Sequence, residues 1–238
     1  MANFPFQRLQ ADLAELIART SPGERMTSEP ELAKQLGVSR ATLREAMRTF
    51  ETQGLIRRRQ GSGTYVVGKV PVMDAGLEVL ESLDTMARRM NMAITVSDLQ
   101  IEEAAADSDT AKMLGVQDGI RLTRVQRVIR ADGRPVAYLV DTLPNSIIKV
   151  SELPESFSGS VLDFLIQRGD ALGISRATIG ATNAPADVAK ALEIQRDDVL
   201  LHFASQLHDA SNKVVDYSVS YFIPGYFHFH VNRRIGNS

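Results

Sequence analysis

Three arginines and two hydroxyl residues near position 40 could bind a nucleic acid. Arg40, Arg44 and Arg48 recur every four residues, and Ser39 and Thr42 lie among them. A guanidinium group can donate two hydrogen bonds to a guanine, and a hydroxyl group can reach a phosphate or a base edge. A solvated helix face can carry the same residues, so this group alone leaves both interpretations open.

The residues around this group predict a helix, a tight turn and a second helix. Ser28 and Ser39 are typical N-caps, because a serine oxygen accepts a hydrogen bond from an otherwise unpaired amide. Gly37 and Gly54 predict the two helix ends, since glycine adopts the left-handed conformation without penalty. Apolar residues at helical spacing give each helix one buried side; they are Leu32, Ala33 and Leu36, then Leu43, Ala46, Met47 and Phe50.

Residues 56–67 predict two short β-strands around a glycine-containing tip. The first strand carries a run of three arginines, and the tip contains Gly61 and Gly63. A backbone without a Cβ atom can approach phosphates or the minor groove closely. A run of arginines is usually solvated surface, but directly after a helix-turn-helix it indicates a wing.

These motifs, in this order, resemble the winged helix-turn-helix of the GntR superfamily of bacterial transcription regulators. The resemblance covers residues 22–67 and implies sequence-specific binding to double-stranded DNA. The DNA-contacting residues that we expect are Ser28, Ser39, Arg40, Thr42, Arg44 and Arg48 in the helices and Gln60, Gly61 and Gly63 in the wing. Many members carry arginine where this chain has Pro30, so one of their contacts is absent here.

The composition indicates a globular protein with unequal charge along the chain. Of 238 residues, 44% are hydrophobic and 24% are charged, which suits two domains. There is no run of 18 apolar residues, no signal-peptide pattern and no cysteine. We therefore expect a cytoplasmic protein without membrane contact, disulfides or thiolate metal sites.

The basic residues are concentrated in the first part of the chain. Residues 1–67 hold 10 Lys and Arg against 7 Asp and Glu, and the remainder holds 17 against 22. Because only the first part has a positive net charge, DNA contact should be confined to it.

The chain is predicted to contain two domains joined by a linker. Residues 1–67 form the expected DNA-binding domain and residues 68–75, with Gly68 and Pro71, the expected linker. Residues 76–238 form the expected effector-binding and dimerisation domain, which begins with a predicted helix over 76–92.

An internal repeat organises this second domain. The segment 109–117 recurs as 187–195, at an offset of 78 residues. Each copy predicts a short helix, a strand, a polar turn and a second strand; the strands are 120–130 and 136–143, then 199–208 and 214–223. Two such units are too small to bury their faces alone, so we expect one antiparallel sheet with helices on a side and a pocket between the halves.

This second domain resembles the UTRA effector-binding domain of the HutC-type branch, which shares the chorismate-lyase fold. The fold class is therefore α+β. The resemblance implies a small-molecule site that contains Arg127, Ile129, Ser160, Leu162, Asp216 and Phe222. Members that sense sugar phosphates have a second arginine at the position of Ile129 and aromatic hydroxyls at those of Leu162 and Phe222. One arginine and one hydroxyl can hold a carboxylate, whereas a phosphate usually takes more donors. We therefore expect a smaller or more apolar anionic effector, such as a carboxylate metabolite, with a sugar phosphate as the alternative.

The histidines raise the possibility of a metal site. His228 and His230 alternate with Phe227 and Phe229 and so share one face of a strand, while His202 and His208 lie on or near another strand. Strand residues two apart can chelate a metal. No acidic residue has matching spacing, so we expect a polar outer face, with no metal and no cofactor.

Two other classes of function remain to be weighed. An enzyme of chorismate-lyase-like fold would need catalytic residues, and the sequence has no nucleophile–base pair, paired carboxylates or phosphate loop. A winged helix used for protein contact alone would leave Arg40 and Arg44 without a role. We therefore expect a non-enzymatic repressor that a small anionic metabolite releases from DNA. One recognition helix covers only a few base pairs, so a homodimer on a palindromic operator is expected, with half-sites about 34 Å apart.

Overall fold

Two units follow one another along the chain. The computed structural model describes residues 4–59, 62–67 and 72–233. The first unit is Met1–Val72 and the second is Met73–Ser238. Among the helices of the described residues, none is both long and apolar enough to cross a membrane.

The first unit contains three helices and a two-stranded wing. Its elements are α1 (Phe4–Arg19), α2 (Glu29–Gln35), α3 (Arg40–Thr52), β1 (Ile56–Arg59) and β2 (Gly63–Val66). The strands pair antiparallel, with Ile56 opposite Val66. Leucines of α1, including the fully buried Leu13, pack with Leu43 and Met47 of α3 in one core. The predicted helix-turn-helix and wing are therefore confirmed.

Local chemistry sets the ends of α3 as the sequence predicts. The Ser39 side chain accepts a hydrogen bond from the Thr42 amide at 3.0 Å. The helix ends at Thr52, and Gly54 follows with a φ of 71°. Ser28 occupies the N-cap position of α2 as predicted, but the expected capping hydrogen bond is absent, because its side chain accepts no bond from an α2 amide. Instead the Ser28 hydroxyl donates to Glu31 Oε2 at 2.6 Å, so a nearby carboxylate takes the hydroxyl away from the backbone.

The second unit is built on a six-stranded sheet in the order β4-β5-β6-β9-β8-β7. Its strands are β4 (Ile94–Ala105), β5 (Arg121–Ala131), β6 (Arg134–Pro144), β7 (Leu172–Asn183), β8 (Val199–Asp209) and β9 (Val214–Phe222). Its helices are α4 (Leu83–Arg89), α5 (Ser108–Leu114), α6 (Val161–Arg168) and α7 (Ala186–Ala191), with a short 3-10 helix at Val150–Glu152. All neighbouring strands of this sheet pair antiparallel.

The internal repeat forms the centre of this sheet. The β5–β6 hairpin belongs to the first copy and the β8–β9 hairpin to the second, and β6 pairs with β9 between them. Helix α5 contacts β9 and helix α7 contacts β6, so each helix packs on a strand of the other copy. The expected single antiparallel sheet with accompanying helices is confirmed.

Two expectations at the start of the second unit are wrong. Residues 73–76, placed mostly in the linker, form strand β3 (Met73–Gly76), which pairs parallel with β10 (Phe227–His230). The helix predicted over 76–92 is only Leu83–Arg89, because Ser82 provides the N-cap by accepting from the Thr85 amide at 3.0 Å. Residues 77–80 form an exposed segment before it. Residues 68–71 of the expected linker lie outside the described part of the chain.

Candidate nucleic-acid interface and ligand cavity

The start of α3 presents a polar, exposed surface. Ser39, Arg40, Thr42 and Arg44 are all exposed there. The hydroxyls of Ser39 and Thr42 lie 2.8 Å apart, and the apolar side of the helix is buried in the core. A helix that is anchored on one side and carries arginines and hydroxyls at its exposed start can enter a major groove.

A network of side chains around Arg44 orients this surface. Arg44 Nε donates to Glu29 Oε2 of α2 at 2.6 Å. Arg58 of β1 donates from Nη2 to the Arg44 carbonyl oxygen at 3.1 Å, and its Nε lies 3.4 Å from Glu51 Oε2. The network joins α2, α3 and the wing, while the Arg44 side chain stays 54% exposed. Sequence reasoning missed Glu29 and Arg58 as positioning residues, since their partners are far away along the chain.

The other predicted DNA contacts are less well placed. Arg48 is only 25% exposed, and its Nη1 lies 3.4 Å from Glu45 Oε1. Ser28 is half-buried and donates to Glu31. Gln60 and Gly61 lie outside the described residues.

A cation that sequence reasoning did not single out lies beside the wing. Gly63 has a φ of +116°, and a Cβ at this position would lie 2.5 Å from Arg25 Nε. The space expected to admit a phosphate is therefore occupied by the exposed Arg25, whose backbone bridges to Tyr65 of β2. Arg25 adds a positive charge to the wing, close to Gly63.

The second unit contains a cavity of about 760 Å³ against one face of its sheet. Residues at alternate positions of four strands line it, because every second side chain of a strand points to the same face. These residues are Leu139 and Asp141; Ser175, Ala177 and Ile179; Phe203, Ser205 and Leu207; and Asp216, Ser218, Ser220 and Phe222. Residues 75–84 and three residues at or in α6, Ser160, Leu162 and Ile166, also line it.

Five of the six residues predicted for the effector site line this cavity. They are Arg127, Ser160, Leu162, Asp216 and Phe222. The sixth, Ile129, is completely buried in β5 and does not belong to the described lining. The pattern of arginines two apart in related proteins suggested Ile129, but the strand packs this position into the core.

A buried ion pair lies on the cavity wall. Arg127 donates from Nη1 to Asp141 Oδ2, and both residues are 8% exposed. Gly159 makes room for the arginine, because a Cβ there would lie 2.7 Å from Arg127 Cδ. The only guanidinium group among the described lining residues therefore already has a carboxylate partner inside the protein.

Asp216 lies beside this pair and holds a proton more tightly than an ordinary aspartate. Burial and the negative charge of Asp141 raise the pKa of Asp216 well above its usual value. The Thr142 amide donates to Asp216 Oδ1 at 3.1 Å, which offsets part of this increase. With Asp216 protonated, the buried group of Arg127, Asp141 and Asp216 has no net charge.

The lining of the cavity and its surroundings are acidic. Asp163 accepts hydrogen bonds from Ser82 at 2.7 Å and from Ser160 at 2.9 Å, and these serines cap α4 and α6. Burial and the neighbouring Asp163 raise the pKa of Asp84. The described lining contains one basic residue and five acidic ones, Glu78, Glu81, Asp84, Asp141 and Asp216.

Three aromatic rings form an apolar corner of the cavity. The ring centroids of Phe203 and Phe229 are 4.7 Å apart, those of Phe222 and Phe229 are 5.1 Å apart, and those of Phe203 and Phe222 are 5.2 Å apart. All three residues line the cavity. A ligand can therefore place a ring or hydrocarbon part against them and its polar part near the serines of β8 and β9.

His228 and His230 have an acidic partner that the sequence did not reveal. Asp74 of β3 lies beside them, with its Oδ1 2.9 Å from His228 Nδ1 and 3.1 Å from His230 Nδ1. The expectation that these histidines lack such a partner is wrong, because the partner is 154 residues from His228 and comes next to it through the β3–β10 pairing.

Comparisons with known proteins agree with this division of the chain. Residues 5–66 match the bacterial regulatory proteins of the gntR family, and residues 89–228 match the UTRA domain. The HTH-type transcriptional repressor NagR of Bacillus subtilis is 31% identical over 180 residues, which are 74% of this chain and 71% of that protein. The histidine utilization repressor of Pseudomonas putida is 28% identical, over 76% of this chain and 71% of its own length. Among solved structures, PhnF from Mycobacterium smegmatis has the same fold, with a TM-score of 0.65 and 22% identity over 96% of this chain and 100% of that one.

Replacing Asp216 should change how stability depends on pH. A carboxyl group whose pKa is raised by folding stabilises the folded state at low pH and loses that effect as the pH rises through its folded pKa. We expect the free energy of unfolding of Asp216→Asn, relative to the unmodified protein, to increase as the pH is raised from 5 to 8. Urea unfolding followed by tyrosine fluorescence measures this, since four of the five tyrosines lie in the second unit.

The matched control for this measurement is Asp132→Asn, an exposed turn position. Asparagine tolerates the positive φ of 50° found there. A stability difference for Asp216→Asn that stays constant across this pH range would contradict a retained proton on Asp216.

Proposed function

The chain belongs to the GntR family of bacterial regulatory proteins, in its HutC-type branch with a UTRA domain, and from this membership we propose that it is a repressor released by a small molecule. It is a ligand-responsive, DNA-binding transcription regulator rather than an enzyme. The exposed, capped start of α3, with Arg44 held by Glu29, is the observation that carries the DNA-binding part. The cavity against the sheet carries the ligand-binding part.

We assign the reading of the operator to the start of α3. Arg40 and Arg44 supply the guanidinium groups for base edges, and Ser39 and Thr42 supply hydroxyls for phosphates or bases. Arg25 supplies a phosphate contact at the wing, because it is exposed next to Gly63. Arg48 has at most a minor part, since most of its side chain is covered.

A homodimer and a palindromic operator follow from the size of this surface. One recognition helix reaches only a few base pairs, which gives too little specificity for a chromosome. Two copies related by a twofold axis would place two such helices about 34 Å apart on the same side of the DNA. Such a repressor acts on the chromosome, so its place of action is the cytoplasm.

The charges of the cavity favour an effector without net negative charge. The sequence suggested an anionic metabolite held by Arg127, but that guanidinium is paired with Asp141, and Asp84 and Asp216 lie nearby. An anion that displaced Asp141 would leave it unpaired in a buried site, and one that shared the guanidinium would add a second negative charge beside it; both are costly. A neutral or cationic polar molecule with an apolar part can instead use the serines, the carboxylates and the three phenylalanines.

The effector acts through a difference in affinity between two states of the protein. It can weaken DNA binding only by as much as it prefers the state that does not bind the operator. The segment 76–84, which lines the cavity, follows the expected linker directly in sequence. We therefore assign to this segment the change that accompanies effector binding.

Removing Arg44 should weaken operator binding. We expect Arg44→Ala to lose about 5- to 150-fold in affinity, which corresponds to about 1–3 kcal/mol for a bidentate base contact. Fluorescence anisotropy on the DNA upstream of the protein's own gene, in a salt titration, measures this loss. Arg176→Ala, at an exposed position of β7 in the second unit, is the matched control. Equal effects of the two substitutions would contradict a specific role for Arg44.

Glu29 should act as a positioning residue for Arg44. We expect Glu29→Gln to weaken operator binding several-fold and to leave the salt dependence unchanged, because Glu29 itself touches no phosphate. A carboxylate without this role would only repel DNA, and its removal would then strengthen binding. The direction of the change in the same anisotropy measurement therefore separates the two roles.

The charge of the effector can be tested with compounds of similar size. We expect neutral and cationic polar compounds to raise the melting temperature, and carboxylates and phosphate esters of the same carbon skeleton to leave it unchanged. A ligand at 100 times its dissociation constant stabilises the bound form by about 2.7 kcal/mol. Differential scanning fluorimetry of the full chain measures the shift.

Two variants show whether such a shift comes from the cavity. Ser205→Leu fills space at the cavity wall and should abolish the shift, whereas Ser151→Leu, at an exposed position, should keep it. Stabilisation by anions alone would overturn the proposed charge class and leave the role of the cavity intact. Equal stabilisation of both variants would place the ligand elsewhere.

A further inference from the structure

Two histidines and one aspartate converge on the outer face of the β3–β10 pair. In the register of these parallel strands, His228 lies opposite Asp74 and His230 lies opposite Gly76. Both Nδ1 atoms approach the same carboxylate oxygen, at 2.9 and 3.1 Å. One ligand atom of each residue lies within 4.8 Å of the other two. Three donor atoms are thus close enough to share one metal ion.

We propose that Asp74, His228 and His230 bind one divalent transition-metal ion, with Zn²⁺ as the best fit. Zn²⁺ takes imidazole nitrogens and carboxylate oxygens at about 2.0–2.2 Å, so ligand atoms around a tetrahedral ion lie about 3.3 Å apart. The two distances to Asp74 Oδ1 need to lengthen by only a few tenths of an ångström. Two imidazoles also select against Mg²⁺ and Ca²⁺, which prefer oxygen ligands.

The strands hold these donors in place before an ion arrives. Phe227 and Phe229 alternate with the histidines and pack against Phe222, with ring centroids 4.7 and 5.1 Å from it. This packing fixes which face of β10 carries the histidines. The Leu77 amide donates to the His230 carbonyl oxygen at 2.9 Å, which continues the pairing beyond β3. The backbone that carries the donors therefore loses little conformational entropy on binding.

Gly76 leaves room for a second carboxylate near His230. A Cβ on Gly76 would lie 2.5 Å from Glu78 Oε2 and 3.5 Å from His230 Nε2. Glu78 is held nearby, because its Oε1 accepts from the Asn232 amide. When Nδ1 of a histidine binds a metal, its Nε2–H commonly donates to a carboxylate, which orients the ring. Glu78 is placed for that supporting role.

The cluster is open to solvent, so a metal ion can enter and leave it. The side chains of His228, Asp74 and His230 are 70%, 57% and 37% exposed. Water can therefore complete the coordination of the ion. The competing explanation is a hydrogen-bonded histidine–aspartate cluster with no ion, and it predicts no saturable metal binding.

A bound ion would stiffen one wall of the cavity. It would join β3 to β10, and Ala75, Gly76 and Phe229 of these strands line the cavity. The segment 77–82, which continues the cavity wall, leaves β3 directly after Gly76. The metal ion and the effector would thus bind to different side chains. The metal site is nevertheless adjacent to the wall of the effector cavity.

Titration of the full chain with Zn²⁺ tests the proposal. The protein should carry no affinity tag, because a histidine tag binds the same ions. We expect one equivalent of Zn²⁺ per chain by isothermal titration calorimetry, and at least tenfold weaker binding for each of Asp74→Asn, His228→Gln and His230→Gln. His202→Gln, a histidine of β8 beside Tyr221, should bind as the unmodified protein does. Equal loss in His202→Gln, or no loss in the three cluster variants, would overturn the proposal.

A second measurement needs no variant. Co²⁺ replaces Zn²⁺ in nitrogen and oxygen sites and absorbs visible light when its coordination is tetrahedral. We expect a saturable visible absorption with one equivalent of Co²⁺, which Zn²⁺ then abolishes. If Co²⁺ and Zn²⁺ both fail to bind the unmodified chain saturably, the cluster is a hydrogen-bonded surface group and the proposal fails.

Discussion

The pairing of β6 with β9 is the interaction on which the second unit depends. These strands come from different copies of the repeat, and their register places Asp141 opposite Ser218 and Leu139 opposite Ser220. Because side chains alternate along a strand, this register makes one continuous face from both copies. A shift of one residue would turn the serines and the carboxylates of this face away from the cavity. The cavity therefore exists only as a product of the two copies together.

The same junction explains why the cavity has an acidic character. Arg127 comes from β5, Asp141 from β6 and Asp216 from β9, so three strands bring the charged groups together in the sheet. Burial makes each charge costly unless it is paired, and one guanidinium cannot neutralise two carboxylates. The ion pair stabilises the charge of Asp141, and the raised pKa of Asp216 favours its neutral form, which lowers the cost of its burial. A ligand that enters the cavity meets carboxylates whose positive partner is already used.

The sequence predicts the local elements well and the contacts between distant residues poorly. The N-cap at Ser39, the end of α3 near Gly54 and the stripe of Leu43 and Met47 follow from neighbours within a few positions, and the structure has them all. The repeat could be detected because two copies of one pattern support each other. The partners of Arg44, Arg127 and His228 lie 15, 14 and 154 residues away, and no spacing rule connects them. For this reason five residues predicted for the effector site lie in one cavity, while most of its lining and the partner of Arg127 could not be predicted from the sequence.

The two arginine–carboxylate pairs of the two units differ in how far they are exposed to solvent. Arg44 is paired with Glu29 but remains more than half exposed, so a phosphate or a guanine can compete for it in water at little cost. Arg127 is paired with Asp141 under almost complete burial, so a competing anion would have to leave a carboxylate unpaired in the interior. An exposed pair thus keeps an arginine available in a defined orientation, whereas a buried pair removes it from competition. The same two residue types therefore leave the arginine open to a polyanion on one surface and occupied by a carboxylate in the cavity.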